Sequence, residues 1–216
     1  MLGTRVWHAA IRAIEYLDKH FSQELHLGAT LLELGCGLGI PGMIACQLGA
    51  QVLLTDQSNI LSQLKLNVRH NFPDECRQNE NKNDIDNDNN LHRNIITVRE
   101  LSWSRLSIQN LMRDLKLEYA KQQTFHKFDF VVNCDCVFEP LYGDSWKALI
   151  EVIDELLLMN PKSIILTSVE RRQFDGIDLF LETLNKSNQV SQTQKVYVDE
   201  KNRIELYITK GHGDKL

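Results

Sequence analysis

The stretch "LLELGCGLGIPG", residues 31–42, decides the fold. A short apolar run reaches Glu33, and glycines follow at every second position, Gly35, Gly37 and Gly39. The chain then resumes as "IPGMIACQLGA", with a proline near the first turn and Gly49 at the end, so the whole reads strand, Gly-rich turn, helix. Downstream, "QVLLTD" is a second strand, and "NILSQLKLNVRHNF" is a helix with Ile60, Leu64 and Val68 on one side. Upstream, residues 5–21 place Val6, Ala9, Ala10, Ala13, Ile14 and Leu17 at helical spacing, which predicts an opening helix with one buried face. Continuous apolar strands alternating with helices mark a parallel sheet covered on both faces.

Residues 73–93, "PDECRQNENKNDIDNDNNLHR", interrupt the alternation with almost no apolar residue. Such a segment cannot bury enough to offset its ordering entropy and reads as a flexible surface insertion. The alternation then resumes: strand "NIITVREL", helix "SIQNLMRDLKLEYAKQ", strand "FDFVVNCD", helix "SWKALIEVIDELLLMN", strand "SIILTSV" and helix "GIDLFLETLNKS". "QTQKVYVDEKNRIELYITK" closes the chain as two strands joined at Asp199 to Asn202. The prediction is one α/β domain over 1–216, a doubly wound, mostly parallel seven-stranded Rossmann-like sheet with a C-terminal antiparallel hairpin. Ligands in such sheets sit beyond the carboxyl ends of the strands.

The length of 216 residues fits one compact domain with a real core. Hydrophobic content of 43% and charged content of 25% are those of a soluble globular protein, and no apolar stretch is long enough to span a bilayer. A net charge of -5 argues against a nucleic-acid partner, because phosphate neutralisation needs a basic face. Five cysteines, an odd number without C-x-x-C or His/Cys spacing, read as reduced thiols in a cytoplasmic or nuclear protein with no metal site. No apolar signal core opens the chain, Leu2 excludes a myristoylation site, and "GDKL" has no retrieval meaning without a signal peptide.

The glycine turn lies where a ligand is expected. A dinucleotide fingerprint needs a glycine at position 40, where Ile40 stands, and no Walker lysine follows, so neither NAD-type nor P-loop binding fits. G-x-G-x-G preceded by Glu33 matches instead the turn that S-adenosylmethionine enzymes use. Asp56, ending the second strand, is placed to accept from two ribose hydroxyls, and Trp103 offers an aromatic wall for adenine. Each residue also has a structural alternative: the glycines as a plain turn, Asp56 as a cap of the helix near Ser58, Trp103 as core.

The combination of "VW" near the start, "LELGCGLGIPG", "LLTD", Leu101-x-Trp103 and "CDCVFEP" at 134–140 resembles the seven-β-strand protein-lysine methyltransferases, methyltransferase family 16 and its methyltransferase-like 21 group. The resemblance covers most of residues 5–183. It implies S-adenosylmethionine as cofactor, with Trp7, Gly35, Asp56, Trp103 and Cys134 lining the pocket beside Glu33, Gly37 and Gly39. It implies that Asp135 and Phe138, the D-x-x-Y/F motif, meet the acceptor lysine, with Glu139 and Glu170 as looser rim candidates. Family members usually carry tyrosine where this chain has Phe138, which keeps the aromatic face and loses the hydroxyl.

The implied partner is a lysine-bearing protein, often a translation factor or chaperone in this family, met by a monomer. Methyl transfer to a neutral amine needs alignment and desolvation, so Asp135 is expected to orient the amine rather than act as a base. The carboxylate also favours the protonated amine, which cannot attack, and this tension stands unresolved in the sequence. The alternatives are a nucleic-acid or glutamine-amide methyltransferase, whose paired prolines are missing from "NCDCVFEP", a small-molecule methyltransferase, and a non-catalytic cofactor-binding module.

Overall fold

The computed structural model describes residues 6–72, 95–122 and 124–213. The polar insertion read at 73–93 lies outside the described residues. The elements in chain order are α1 (His8–His26), β1 (Thr30–Leu34), α2 (Ile40–Gln47), β2 (Gln51–Asp56), α3 (Ser58–Asn71), β3 (Ile96–Glu100), α4 (Arg105–Glu118), β4 (Phe130–Cys134), α5 (Glu139–Tyr142), α6 (Trp146–Met159), β5 (Ile164–Glu170), α7 (Ile177–Asn185), β6 (Val190–Asp199) and β7 (Ile204–Gly211).

The seven strands form one sheet in the order β3-β2-β1-β4-β5-β7-β6. β1 to β5 run parallel, and β7 lies antiparallel between β5 and β6. This is the predicted seven-stranded, mostly parallel sheet with its terminal hairpin. The continuous apolar runs in the sequence have a direct cause, since alternate strand residues point to opposite faces and both faces are covered. Leu32, Leu34, Leu53, Val131 and Ile165 join one core with α4, α6 and α7. Leu31, Val52, Leu54, Phe130, Val132 and Leu166 join the other with α1, α2 and α3. Fully burying each such side chain contributes about 1.5–3 kcal/mol, which is why the central strands tolerate so few polar residues.

Differences from the sequence reading are local. The first helix begins at His8 and continues to His26 rather than ending at residue 21, because the backbone kinks at Phe21 (φ -137°, ψ 20°) instead of stopping. The kink sets the Phe21 ring edge-on to Phe130 at 5.1 Å and lets Leu25 bury completely. α4 starts earlier than predicted, since the Ser104 hydroxyl caps it by accepting the Ser107 N–H at 3.1 Å. The single turn α5, with Pro140 in its first turn, was not predicted.

β6 forms the far edge of the sheet, with register shifts between Val190 and Gln192 and between Lys195 and Tyr197. In the hairpin turn, the Asn202 N–H and amide donate to Asp199 at 3.1 and 2.8 Å. At the carboxyl ends of the central strands, the segments following β1, β2, β3 and β4 converge on one cavity.

Candidate functional site

The cavity has a volume of about 890 Å³, within the range of pockets that enclose small ligands. Trp7, Glu33, Gly35, Gly37, Asp56, Trp103, Cys134 and Asp135 all line it. Among its described lining residues are three carboxylates, Glu33, Asp56 and Asp135, and no Lys, Arg or His. With no basic side chain to meet phosphates, that lining suits a phosphate-free ligand better than a dinucleotide.

The turn after β1 makes this possible. Gly35 has φ +60°, and a Cβ there would come within 2.9 Å of Cys136 Sγ and 3.1 Å of Trp103 Cζ2. Only glycine lets the chain pass between the thiol and the indole while turning left-handed. The Gly37 N–H donates to Asp56 Oδ2 at 2.7 Å, and the Gln57 N–H donates to Oδ1 at 2.7 Å. Asp56 is thereby fixed in the cavity wall with a lone pair left on each oxygen, and its side chain does not cap α3, whose N-cap residue is Gln57. Burial raises its pKa, opposed by the two backbone donors.

Gly39 departs from the expectation that all three glycines serve the ligand, because it is not among the residues lining the cavity. At φ +74° it is the N-cap of α2, and a Cβ would strike Leu64 Cδ1 at 2.7 Å and Leu54 Cδ1 at 2.9 Å. Its requirement for glycine comes from helix-on-strand packing.

Glu33 sits next to the carboxyl end of β1, 1% exposed, where Oε2 accepts the Gly42 N–H at 2.8 Å. Burial pushes its pKa up to about 8, the Gly42 hydrogen bond opposes the rise, and the charge of Asp56 adds to it. Cys36, Cys134 and Cys136 also line the cavity, and burial raises all three thiols above their ordinary value. They stay protonated and are poor nucleophiles toward any electrophile held there. Among the described residues no group of three His, Cys, Asp or Glu could hold a metal ion.

The side expected to meet the acceptor is built by the segments after β4 and β5. Asp135 adopts φ +58°, a strained conformation for a non-glycine residue, held by its N–H donating to Ser168 O at 2.7 Å. Its carboxylate is buried and already well occupied. Oδ1 accepts from the Glu170 N–H at 3.0 Å and from Arg172 Nη1 at 3.1 Å, while Oδ2 accepts from Arg172 Nη2 at 2.5 Å.

Arg172 also donates to Glu170 Oε2 at 2.8 Å and lies 4.8 Å from the Phe138 ring centroid and 5.4 Å from that of Trp7. Phe138 therefore lays its ring against Arg172 and is not among the residues that line the cavity. Glu139 accepts from Trp146 Nε1 at 2.9 Å, and Glu170 pairs with Arg172 and, at 3.3 Å, with Arg203.

Two site residues escaped the sequence reading. Tyr142 lines the cavity one helical turn after Phe138, and Pro140 in the first turn of a helix was the signal that would have placed it there. Arg172 lies in "SVERRQ" directly after β5, at the carboxyl end of a strand beside β4, but no local pattern ties it to Asp135.

A family model described as lysine methyltransferase matches residues 1–82 and 74–187. The chain is 36% identical over 172 residues, 78% of each chain, to Secreted RxLR effector protein 48 of Plasmopara viticola. It is 27% identical over 204 residues to Protein N-lysine methyltransferase METTL21A of Xenopus tropicalis, covering 94% of this chain and 74% of that one. The fold is shared with magnesium protoporphyrin IX methyltransferase of Synechocystis, solved with S-adenosylhomocysteine, at a TM-score of 0.51 and 11% identity over 94% of this chain and 82% of that one. A model match over most of the length, on a sheet whose cavity suits a phosphate-free ligand, settles the kinship: the chain belongs to the lysine methyltransferase family and uses S-adenosylmethionine as its cofactor.

Proposed function

We propose that the protein methylates the ε-amine of a lysine in a partner protein, a translation factor or chaperone. The observation that carries this reading is the position of Asp135, a strained, buried carboxylate on the wall of the cofactor cavity. Among the relatives, one 28% identical over 196 residues is named EEF1A lysine methyltransferase 3, from Xenopus tropicalis, which supports a translation factor as the acceptor.

Gly35 and Gly37 would bring backbone to the cofactor, Asp56 would accept from its ribose hydroxyls, Trp103 would wall the adenine, and Trp7, Glu33 and Cys134 would complete the lining. Bound S-adenosylmethionine would supply a methyl group on a sulfonium, open to the lone pair of the lysine nitrogen, with sulfur keeping the bonding electrons. Asp135 accepts an N–H from the amine and aims that lone pair, and the methylated ammonium afterwards loses its proton to water.

We further read the protein as one catalytic domain, monomeric, working in the cytoplasm or nucleus without a nucleic-acid partner. Among the described residues no helix is long and apolar enough to cross a membrane. The test is incubation with radiolabelled S-adenosylmethionine and an extract from cells lacking this protein. Methyl-lysine in a discrete protein band, lost in Asp135→Ala while S-adenosylhomocysteine still binds, is the expected result. Label in RNA or small molecules, or none at all despite cofactor binding, overturns the proposal.

A further inference from the structure

The tension at Asp135 has a structural answer in Arg172. An isolated carboxylate at the acceptor position would bind the ammonium form of lysine, which has no lone pair with which to attack. Here the carboxylate is not isolated. Of its roughly four lone-pair sites, Oδ1 gives two to the Glu170 N–H and Arg172 Nη1, and Oδ2 gives one to Arg172 Nη2. One site on Oδ2 remains. The guanidinium opposite cannot be deprotonated, so the neutralisation persists at every working pH.

Arg172 is held too firmly to be a removable plug. Its side chain is 16% exposed and that of Asp135 is 3% exposed. Rings of Phe138 and Trp7 lie within 5.4 Å of its Cζ, Glu170 takes a second hydrogen bond, and its backbone N–H donates to Asp175 Oδ2 at 2.9 Å. Withdrawing it would strand a buried carboxylate.

The remaining charges are close to balance. Glu170, on β5, is shared between Arg172 and Arg203 from the hairpin turn, and Asp175 pairs with Arg171 at 3.4 Å. From β4 and its following loop Cys134 and Cys136, and from α5 Tyr142, face the same space as groups that burial keeps protonated. Glu139 of α5 is engaged by Trp146, and Glu33 and Asp56 lie across the cavity on β1 and β2.

We propose, building on the lysine reading above, that Arg172 is a positioning residue that makes the site select the neutral amine. Its charge offsets that of Asp135, so the one free lone pair of Oδ2 orients an uncharged lysine nitrogen without trapping the ammonium. The aromatic faces of Phe138 and Trp7 serve the acceptor indirectly, by fixing the guanidinium. For a charge about 6 Å from the acceptor nitrogen at an effective dielectric constant of about 20, the Coulomb effect on the amine amounts to about two pH units before screening.

The test is a pH–rate profile of methyl-lysine formation from pH 6.5 to 9.5, for wild type, Arg172→Gln and Arg172→Lys. The acceptor probe is concentrated extract from cells lacking the protein, raised until the rate saturates, so the rate follows kcat and reports the ionisation of the bound amine. The half-maximal pH is expected to rise by about one to two units in Arg172→Gln and by less than about half a unit in Arg172→Lys. Calorimetric affinity for S-adenosylhomocysteine should stay within about threefold in both.

A profile in Arg172→Gln lowered by one factor at every pH means a merely structural role and overturns the proposal. Should that variant not fold, Arg172→Lys decides, since a shift of a unit or more with the charge retained refutes the electrostatic account. Absence of methyl-lysine already in the wild type marks failure of the lysine reading itself, a result distinct from an unshifted profile.

Discussion

Glu33, buried near the carboxyl end of β1, makes stability depend on pH in a calculable way, and Glu33→Gln exposes it. The amide keeps the shape and an acceptor for the Gly42 N–H but cannot ionise. Burial lifts the carboxyl from 4.5 to about 8. Because the folded value lies above the unfolded one, the contribution to stability is fully present below pH 4.5. It is lost as pH climbs, while the unfolded chain ionises and the native one does not, and it levels off above about 8. At about 1.36 kcal/mol per pH unit, that rise corresponds to about 4 to 5 kcal/mol at most. Urea denaturation at pH 5 and pH 9 measures it. Glu33→Gln should lie within about 1 kcal/mol of wild type at pH 5 and exceed it by about 3 to 5 kcal/mol at pH 9. The same difference at both values would refute the reasoning.

Gly35→Ala must place a Cβ 2.9 Å from Cys136 Sγ at φ +60°, so affinity for S-adenosylhomocysteine should fall at least about tenfold by calorimetry, with a lower Tm. Asp56→Ala removes the acceptor of the Gly37 N–H together with the proposed ribose partner, and the same titration should show a loss of about 1.5–3 kcal/mol. Cys36, Cys134 and Cys136, with thiol pKa values raised by burial, should react slowly with iodoacetamide at pH 8 and rapidly once urea unfolds the chain, as mass spectrometry of the peptides would report.

The sheet was legible because both of its faces are covered: an apolar run such as "TLLEL" can be little else than a buried strand, and its glycine turn must stand at the carboxyl end. The cavity wall was legible for the same reason, since Asp56 ends β2, Asp135 follows β4 directly and Trp103 lies in the short segment after β3. What stayed hidden depends on direction. Three glycines look equivalent in the string, yet the turn carries Gly35 toward Trp103 and sends Gly39 toward Leu54 and Leu64. An aromatic motif residue does not announce which cation covers it. Phe138 receives Arg172 only because β4 pairs with β5 in the register Cys134 to Ser168, joining Asp135 to a residue 37 positions away.

The hairpin added beyond β5 governs how this protein behaves among its own copies. A sheet edge offers unpaired backbone groups to any passing strand, and β6, at 10 residues, is the longest strand in the described fold. Its two register shifts bend the ladder, and Lys195 stands on it, paired with Glu205. A neighbouring chain trying to zip along β6 would lose alignment at Val190 and again at Lys195, and would have to desolvate a lysine. The opposite edge, β3, is only five residues long and ends in Arg99 and Glu100. Straightening β6 by deleting Val196, which lies between the partners at the second shift, would trade that protection for a flat template prone to fibre-like stacking.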